Sequence, residues 1–159
     1  MTVIVQNNSL NIFEEIYKKS KKTVMCHGVF DLLHLGHIRH FKDAKKLGEI
    51  LIVSVTADKF VNNGPGRPYF NLSQRMEAIA SLDCVDYVVP SNSEDAIKIL
   101  NIVKPKIYCK GEDYKKHSLD ITKKIKKEIS VVKKYKGRIF YTNNITFSSS
   151  NLINKSFDT

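Results

Sequence analysis

The stretch Cys26-His27-Gly28-Val29-Phe30-Asp31-Leu32-Leu33-His34-Leu35-Gly36-His37 decides how this chain folds. Thr23 to Cys26 is a short apolar strand, and it runs into a turn that Gly28 opens. A helix follows over Ile38 to Leu47, and Gly48 stops it. A strand that turns directly into a helix leaves the helix's first backbone N–H groups unpaired. Together with the helix dipole they favour an anion, above all a phosphate. Gly28 and Gly36 let the backbone approach such a ligand closely. His34 and His37, three residues apart, can converge on it. Each imidazole can donate a hydrogen bond to a phosphate oxygen as negative charge shifts in a transition state. Spacing alone leaves two other readings open. The histidines could ligate a metal, with His40 continuing the three-residue spacing, although Cys26 and Asp31 do not complete a zinc pattern. They could also be surface histidines.

Outward from this stretch, strands and helices alternate. Asn11 to Ser20 has helical spacing, with apolar residues at Ile12, Phe13, Ile16 and Tyr17. Ile50 to Val55 is a continuous β-branched and apolar run, as expected of a buried parallel strand. Asn62 to Phe70 contains Gly64, Pro65, Gly66 and Pro68 and reads as a loop. Asn71 and Gln74 form a cap for a helix over Leu72 to Leu82. Val85 to Val89 is a strand ended by Pro90, Ser93 to Val103 a helix, and Lys106 to Cys109 a strand. Ile121 to Tyr135 is a long basic helix closed by Gly137. Arg138 to Tyr141 is the last strand, and Ser148 to Ile153 opens a final helix. This order predicts an α/β fold: a three-layer, Rossmann-like, doubly wound parallel sheet in a single domain over 1–159. Ligands of such sheets bind beyond the carboxyl ends of the strands, where the strand order reverses.

Composition narrows the function. An apolar share of 42% over 159 residues suits one globular core and excludes a disordered chain. No apolar run is long enough to span a bilayer, and Met1 to Leu10 lacks the layout of a secretory signal. The expectation is a cytoplasmic protein with no membrane partner. The three cysteines, Cys26, Cys84 and Cys109, are widely spaced and sit in or beside apolar stretches, as reduced, mostly buried thiols do. The net charge of +10 reflects lysines crowded between Lys104 and Lys136. They are not interleaved with stacking aromatics, so a solvated helix face is preferred over a nucleic-acid interface. In either case the positive field attracts phosphorylated substrates.

Gly28-Val29-Phe30-Asp31 followed by His34-x-Gly36-His37 resembles the first motif of the cytidylyltransferase-like nucleotidyltransferases. That superfamily includes glycerol-3-phosphate cytidylyltransferase, the bacterial heptose-phosphate adenylyltransferases, and the choline- and ethanolamine-phosphate cytidylyltransferases. The resemblance covers nearly all of the chain after about Lys22. It implies catalytic roles for His34 and His37 and a nucleotide contact along Gly28, Val29, Phe30 and Gly36. Ala44-Lys45-Lys46-Leu47-Gly48 is similar to a family helix segment with a phosphate-binding lysine, which makes Lys45 the candidate for the triphosphate. Lys110-Gly111-Glu112-Asp113-Tyr114 resembles a Lys-Gly-Gly-Asp-Tyr-like loop, so Lys110, Gly111 and Asp113 are expected at the nucleotide; Glu112 departs from the pattern. Ser148, Ser149 and Ser150 match a Ser-Thr-Thr-type element whose hydroxyls and N–H groups bind the triphosphate.

For the acceptor, the resemblance implies Asp31, Asp58, Arg67 and Arg75, with Arg67 poised for a bidentate phosphate contact. A helix cap or turn residue is the alternative for Asp58 and a surface arginine for Arg67. Gly64-Pro65-Gly66-Arg67-Pro68 and Gln74-Arg75-Met76 are closer to the heptose enzymes than to the glycerol enzyme. Asn143-Asn144-Ile145-Thr146 lacks the arginine that leads into the serine element in the glycerol enzyme, which points the same way. The implied reaction moves CMP or AMP from CTP or ATP to a sugar or polyol phosphate, for surface polysaccharide precursors, and releases pyrophosphate. Mg²⁺ would be held mainly by the triphosphate, since the chain offers no dense carboxylate cluster. A homodimer and a fused sugar kinase domain are further implications of the resemblance. A non-catalytic nucleotide-binding module is the alternative, followed by a basic nucleic-acid-binding domain.

Overall fold

The computed structural model describes residues 1–62, 64–111 and 119–143. Its elements alternate in the order β1 (Val3–Ile4), α1 (Ile12–Lys18), β2 (Thr23–Gly28), α2 (Leu35–Lys45), β3 (Ile50–Thr56) and α3 (Leu72–Ala80). There follow β4 (Tyr87–Ser91), α4 (Ile97–Val103), β5 (Ile107–Gly111), α5 (Leu119–Lys134) and β6 (Arg138–Thr142). The strands form one sheet in the order β1-β4-β3-β2-β5-β6, with every pairing parallel. From β2 the chain moves outward through β3 to β4. It then crosses back to lay β5 on the other side of β2. The strand order therefore reverses between β2 and β5, and the crevice expected of a doubly wound sheet opens at their carboxyl ends.

Both faces of the sheet are covered, which is why β3 reads as an almost unbroken apolar run. Alternate residues along each strand feed alternate cores. Val24, Cys26, Val53 and Cys109 face Phe41 of α2 and Ile79 of α3. Met25, Ile52 and Tyr108 face Phe13 of α1, Leu100 of α4 and Val132 of α5. On α5, Ile125 and Val132 are buried while Lys123, Lys124, Lys126, Lys127, Lys133 and Lys134 are exposed, a solvated basic face. The buried Glu128 anchors this helix: its oxygens accept from Ala96 N at 3.0 Å and from the Tyr108 hydroxyl at 2.9 Å. No described helix is long and apolar enough to cross a membrane.

Several boundaries differ from the sequence reading. β1 is an unforeseen edge strand, too short to carry a pattern. α2 starts at Leu35 rather than Ile38, because His34 acts as an unconventional cap. α4 starts at Ile97 rather than Ser93: Asp95 Oδ1 accepts from Ile97 N at 3.0 Å and holds a local turn instead. Pro90 does not end β4, which runs to Ser91. Val88 O accepts from Val5 N, so by alternation Pro90 also faces the β1 side, where β1 has already ended and no donor is needed.

Candidate active site

α2 begins where β2 leaves the sheet, and its first turn is closed by histidines. His34 N donates to His37 Nδ1 and His37 N donates to His34 Nδ1, both at 3.4 Å. This is a capping box with imidazoles in place of the usual hydroxyl and carboxyl groups. The rings stack with centroids 3.8 Å apart and planes 19° from parallel. A neutral ring that accepts at Nδ1 carries its proton on Nε2, so both rings become donors. Burial holds the His37 pKa down to about 3, with help from the neighbouring His34 and His40. At neutral pH His37 is therefore an uncharged donor beside the helix's unpaired N–H groups, a good match for a phosphate oxygen.

The turn before α2 aims this pair. Phe30 sits at φ 50°, in the left-handed region, a strain of about 1–3 kcal/mol for such a residue. Its ring folds back over Gly28, where an added Cβ would come within 2.9 Å of the ring. Edge contacts then join Phe30 to His37 at 5.3 Å and to Phe41 at 5.0 Å. Gly28 is thus needed for the ring that braces His37. Gly36 is buried inside the first turn of the helix.

The four residues expected at the acceptor come together, but mostly with one another. Asp31 is buried; its Oδ2 accepts from Tyr69 N at 2.7 Å and its Oδ1 from Phe70 N at 2.9 Å. Arg67 Nε lies 2.9 Å from Asp31 Oδ2, with side-chain exposures of 1% and 0%. Arg67 is therefore not a surface arginine. Its Nη1 is buried without a hydrogen-bond partner among the described residues. Arg75 is buried too: Nε donates to Phe70 O at 2.9 Å, Nη1 to Val29 O at 2.7 Å and Nη2 to Asp58 Oδ1 at 2.6 Å. Asp31 and Arg75 thus tie the 64–70 segment to the end of β2. Both side chains are buried. Asp58 stays half-exposed and remains within reach.

Lys45 lies away from the other candidate residues. Its Nζ donates to Glu49 O at 2.7 Å and to Asp86 Oδ2 at 2.6 Å, at the start of β3. α2 starts at the crevice and runs back along the sheet, so ten residues carry Lys45 about 15 Å away, to the amino ends of the strands. There it stands at the negative end of the helix dipole, not the positive one. Lys110 and Gly111 do end β5 at the crevice. The Lys110 ammonium is buried, 4.0 Å from Glu128 Oε2 and 5.0 Å from the Tyr108 ring. Among the described residues, nothing lies within 4 Å of where a Gly111 side chain would be. Asp113, Ser148, Ser149 and Ser150 lie outside the described residues, as does the final helix.

Sequence reasoning missed the partners of His27 and His40. His27 Nδ1 lies 3.0 Å from Ser54 Oγ, and burial followed by the charge of Lys110 lowers its pKa to about 3. His40 Nδ1 lies 2.6 Å from Thr142 Oγ1, which ties α2 to β6. Burial, then Lys110, lowers the His40 pKa to about 4, against the opposing pull of Asp43. These pairs join strands and a helix far apart in sequence, and no local spacing signals them.

A sequence model described as cytidylyltransferase-like matches residues 25–155. Among curated proteins, the chain is 37% identical over 129 residues to "Bifunctional protein HldE" of Nitratiruptor sp., covering 80% of this chain and 28% of that protein. It is 34% identical over 141 residues to the protein of the same name from Aliarcobacter butzleri, covering 83% of this chain and 29% of that one. The chain thus spans less than a third of the length of these relatives. Among solved structures, a lipopolysaccharide core biosynthesis protein from Thermoplasma volcanium superposes with a TM-score of 0.66 at 32% identity, covering 79% of this chain and 99% of that one. A pantoate-beta-alanine ligase from Francisella tularensis superposes with a TM-score of 0.65 at 22% identity, over 97% of this chain and 73% of that one, a likeness of fold alone.

Proposed function

This chain belongs to the cytidylyltransferase-like family, and from that premise we propose that it is a nucleotidyltransferase acting on a sugar or polyol phosphate, with ATP preferred to CTP. The single observation that carries the reading is the reciprocal His34–His37 box, which turns the Nε2 of both rings outward as donors at a helix start. The preference for ATP rests on the likeness of 64–68 and 74–76 to the heptose-phosphate adenylyltransferases. A role in surface polysaccharide precursors draws support from the Thermoplasma protein's lipopolysaccharide core assignment.

In the proposed reaction an oxygen of the acceptor's phosphate forms a bond to the α-phosphorus. The bond from that phosphorus to the α–β bridging oxygen breaks on the opposite side, and pyrophosphate leaves. His34 and His37 donate from Nε2 to phosphate oxygens on which charge accumulates. Lys110 and Gly111 line the nucleotide side of the crevice, and Asp58 and Arg67 the acceptor side. Arg67 Nη1, buried and without a hydrogen-bond partner among the described residues, is the proposed partner of the acceptor's phosphate, and the contact requires it to be uncovered. Positioning does most of the work, since no covalent intermediate with the protein is formed. The described carboxylates at the crevice, Asp31 and Asp58, are each engaged by an arginine, which suits Mg²⁺ carried on the triphosphate rather than on side chains. When bound, Mg²⁺ would offset the triphosphate's charge. Asp113 and Ser148 to Ser150 complete the proposed nucleotide contacts. A kinase must phosphorylate the acceptor first. We place it in a fused domain, as the family resemblance implies, and expect the working unit to be a cytoplasmic homodimer.

Pyrophosphate release should be measured with each of the four nucleoside triphosphates against a panel of sugar and polyol phosphates. ATP with a sugar 1-phosphate is expected to give the fastest turnover. Nucleotide binding with no release for any pair would refute the reaction and leave a binding module.

A further inference from the structure

We propose that Cys26, His40 and Cys109 form a buried site for a thiophilic metal ion, with Zn²⁺ the natural probe. Cys26 of β2 and Cys109 of β5 are register partners on adjacent parallel strands. Their side chains therefore stand side by side on one face of the sheet, and both residues are fully buried. That face is covered by α2, which supplies His40. One ligand atom from each residue lies within 4.8 Å of the other two. Zinc bonds of about 2.3 Å to sulfur and 2.0–2.1 Å to nitrogen, in tetrahedral geometry, set ligand atoms about 3.5–3.8 Å apart. The three groups thus need to close by no more than about an ångström around an ion.

The donor set is selective. Two sulfurs and an imidazole suit Zn²⁺ and Cu⁺ and disfavour Mg²⁺ or Ca²⁺. His40 is already held in place, because Thr142 Oγ1 lies 2.6 Å from Nδ1 and also donates to Lys110 O at 3.4 Å. Outer partners of this kind orient metal-ligating histidines. Binding releases the two thiol protons, and two thiolates balance a divalent charge. The ion would clamp β2, β5 and α2 one helical turn behind His37, at the point where the strand order reverses. The ligands come from three elements at positions 26, 40 and 109, so no Cys-x-x-Cys spacing announces them. The proposal is independent of the transferase reading.

The test uses the whole chain, purified with reductant, stripped by chelator and titrated with Zn²⁺ against a chromophoric competitor. One equivalent per chain is expected, and Co²⁺ in its place should show the intense sulfur-to-metal absorption of thiolate ligation. Cys109→Ser and His40→Gln should each weaken binding by at least tenfold, and Thr142→Val about tenfold or more. Cys84→Ser should bind as the parent does. His40→Gln keeps the test decisive if a buried cysteine variant fails to fold. Uptake unchanged in folded His40→Gln, or no thiolate absorption with Co²⁺, overturns the proposal. So does a Cys26–Cys109 disulfide as the stable form under reductant.

Discussion

His34 and His37 hold each other's backbone N–H through Nδ1, with rings stacked 3.8 Å apart. One interaction thereby does two things: it caps α2 and it fixes which nitrogen of each ring donates. Substitution can separate the two. Asparagine is a good helix cap but has no imidazole donor. His34→Asn should stay within about 1 kcal/mol of the parent in a urea melt. Its turnover should fall by about 10²–10³, the usual loss of one preorganised donor. His37→Ala should lose a similar factor in kcat with little change in the nucleotide's KM. Parent-like turnover of a folded His37→Ala protein would remove the histidines from the chemistry.

Lys45 offers the opposite expectation. Its ammonium lies at the amino end of the sheet with Asp86, partly exposed. Lys45→Ala should leave pyrophosphate release within about twofold and lower stability by no more than about 1 kcal/mol. A hundredfold loss of kcat would mean that the lysine reaches the triphosphate after all.

Arg75 should act through folding rather than through substrate contact. Its removal by Arg75→Leu strands Val29 O, Phe70 O and one side of Asp58. A stability loss of about 3–5 kcal/mol is expected, as for other broken buried charge networks. Denaturant melts check it, and Arg75→Lys should recover only a part. A normally stable Arg75→Leu protein with a raised acceptor KM would restore the arginine to direct binding.

Acid should weaken the fold through its buried histidines. His27 and His37 have folded-state pKa values near 3, below the ordinary 6.5 of an unfolded histidine. Below pH 6.5 the unfolded chain therefore binds protons that the folded one refuses. Stability is complete above pH 6.5 and falls as the pH drops towards 3, by up to about 1.4 kcal/mol per pH unit for each histidine. Urea midpoints between pH 7 and pH 4 measure this, and His37→Gln should show a shallower fall. Equal slopes for parent and variant would contradict the buried, neutral His37.

The parallel sheet was legible because its strands are covered on both faces and so appear as the apolar runs at Thr23 and Ile50. The turn that carries His34 and His37 was legible because a strand, a turn and a helix are contiguous in sequence; its role at an anion is the proposal made above. What escaped depends on partners distant in the chain. The resemblance put Lys45 at the triphosphate, and nothing local in the sequence says that its end of α2 lies with Asp86 at the start of β3 and β4. The resemblance put Asp31 and Arg75 at the acceptor, and their buried partners, Tyr69, Phe70 and Val29, could not be read from the sequence. Cys26 and Cys109 are 83 residues apart in sequence and neighbours in the sheet.

The pairing of β2 with β5 also bears on how the protein is made. During synthesis β2, β3 and β4 can assemble in order, each beside its predecessor. β5 then has to return past two strands to reach β2, a long loop closure that slows folding. Until residues 107–111 have emerged, one edge of β2 stands open, with Val24, Met25 and Cys26 unpaired along it, and such an edge invites pairing with another chain. The crevice that would bind substrate therefore lies along a seam that closes only after β3 and β4 are in place, before β6 completes the sheet. A nascent chain stalled before β5 would present an adhesive strand where the finished protein has its site.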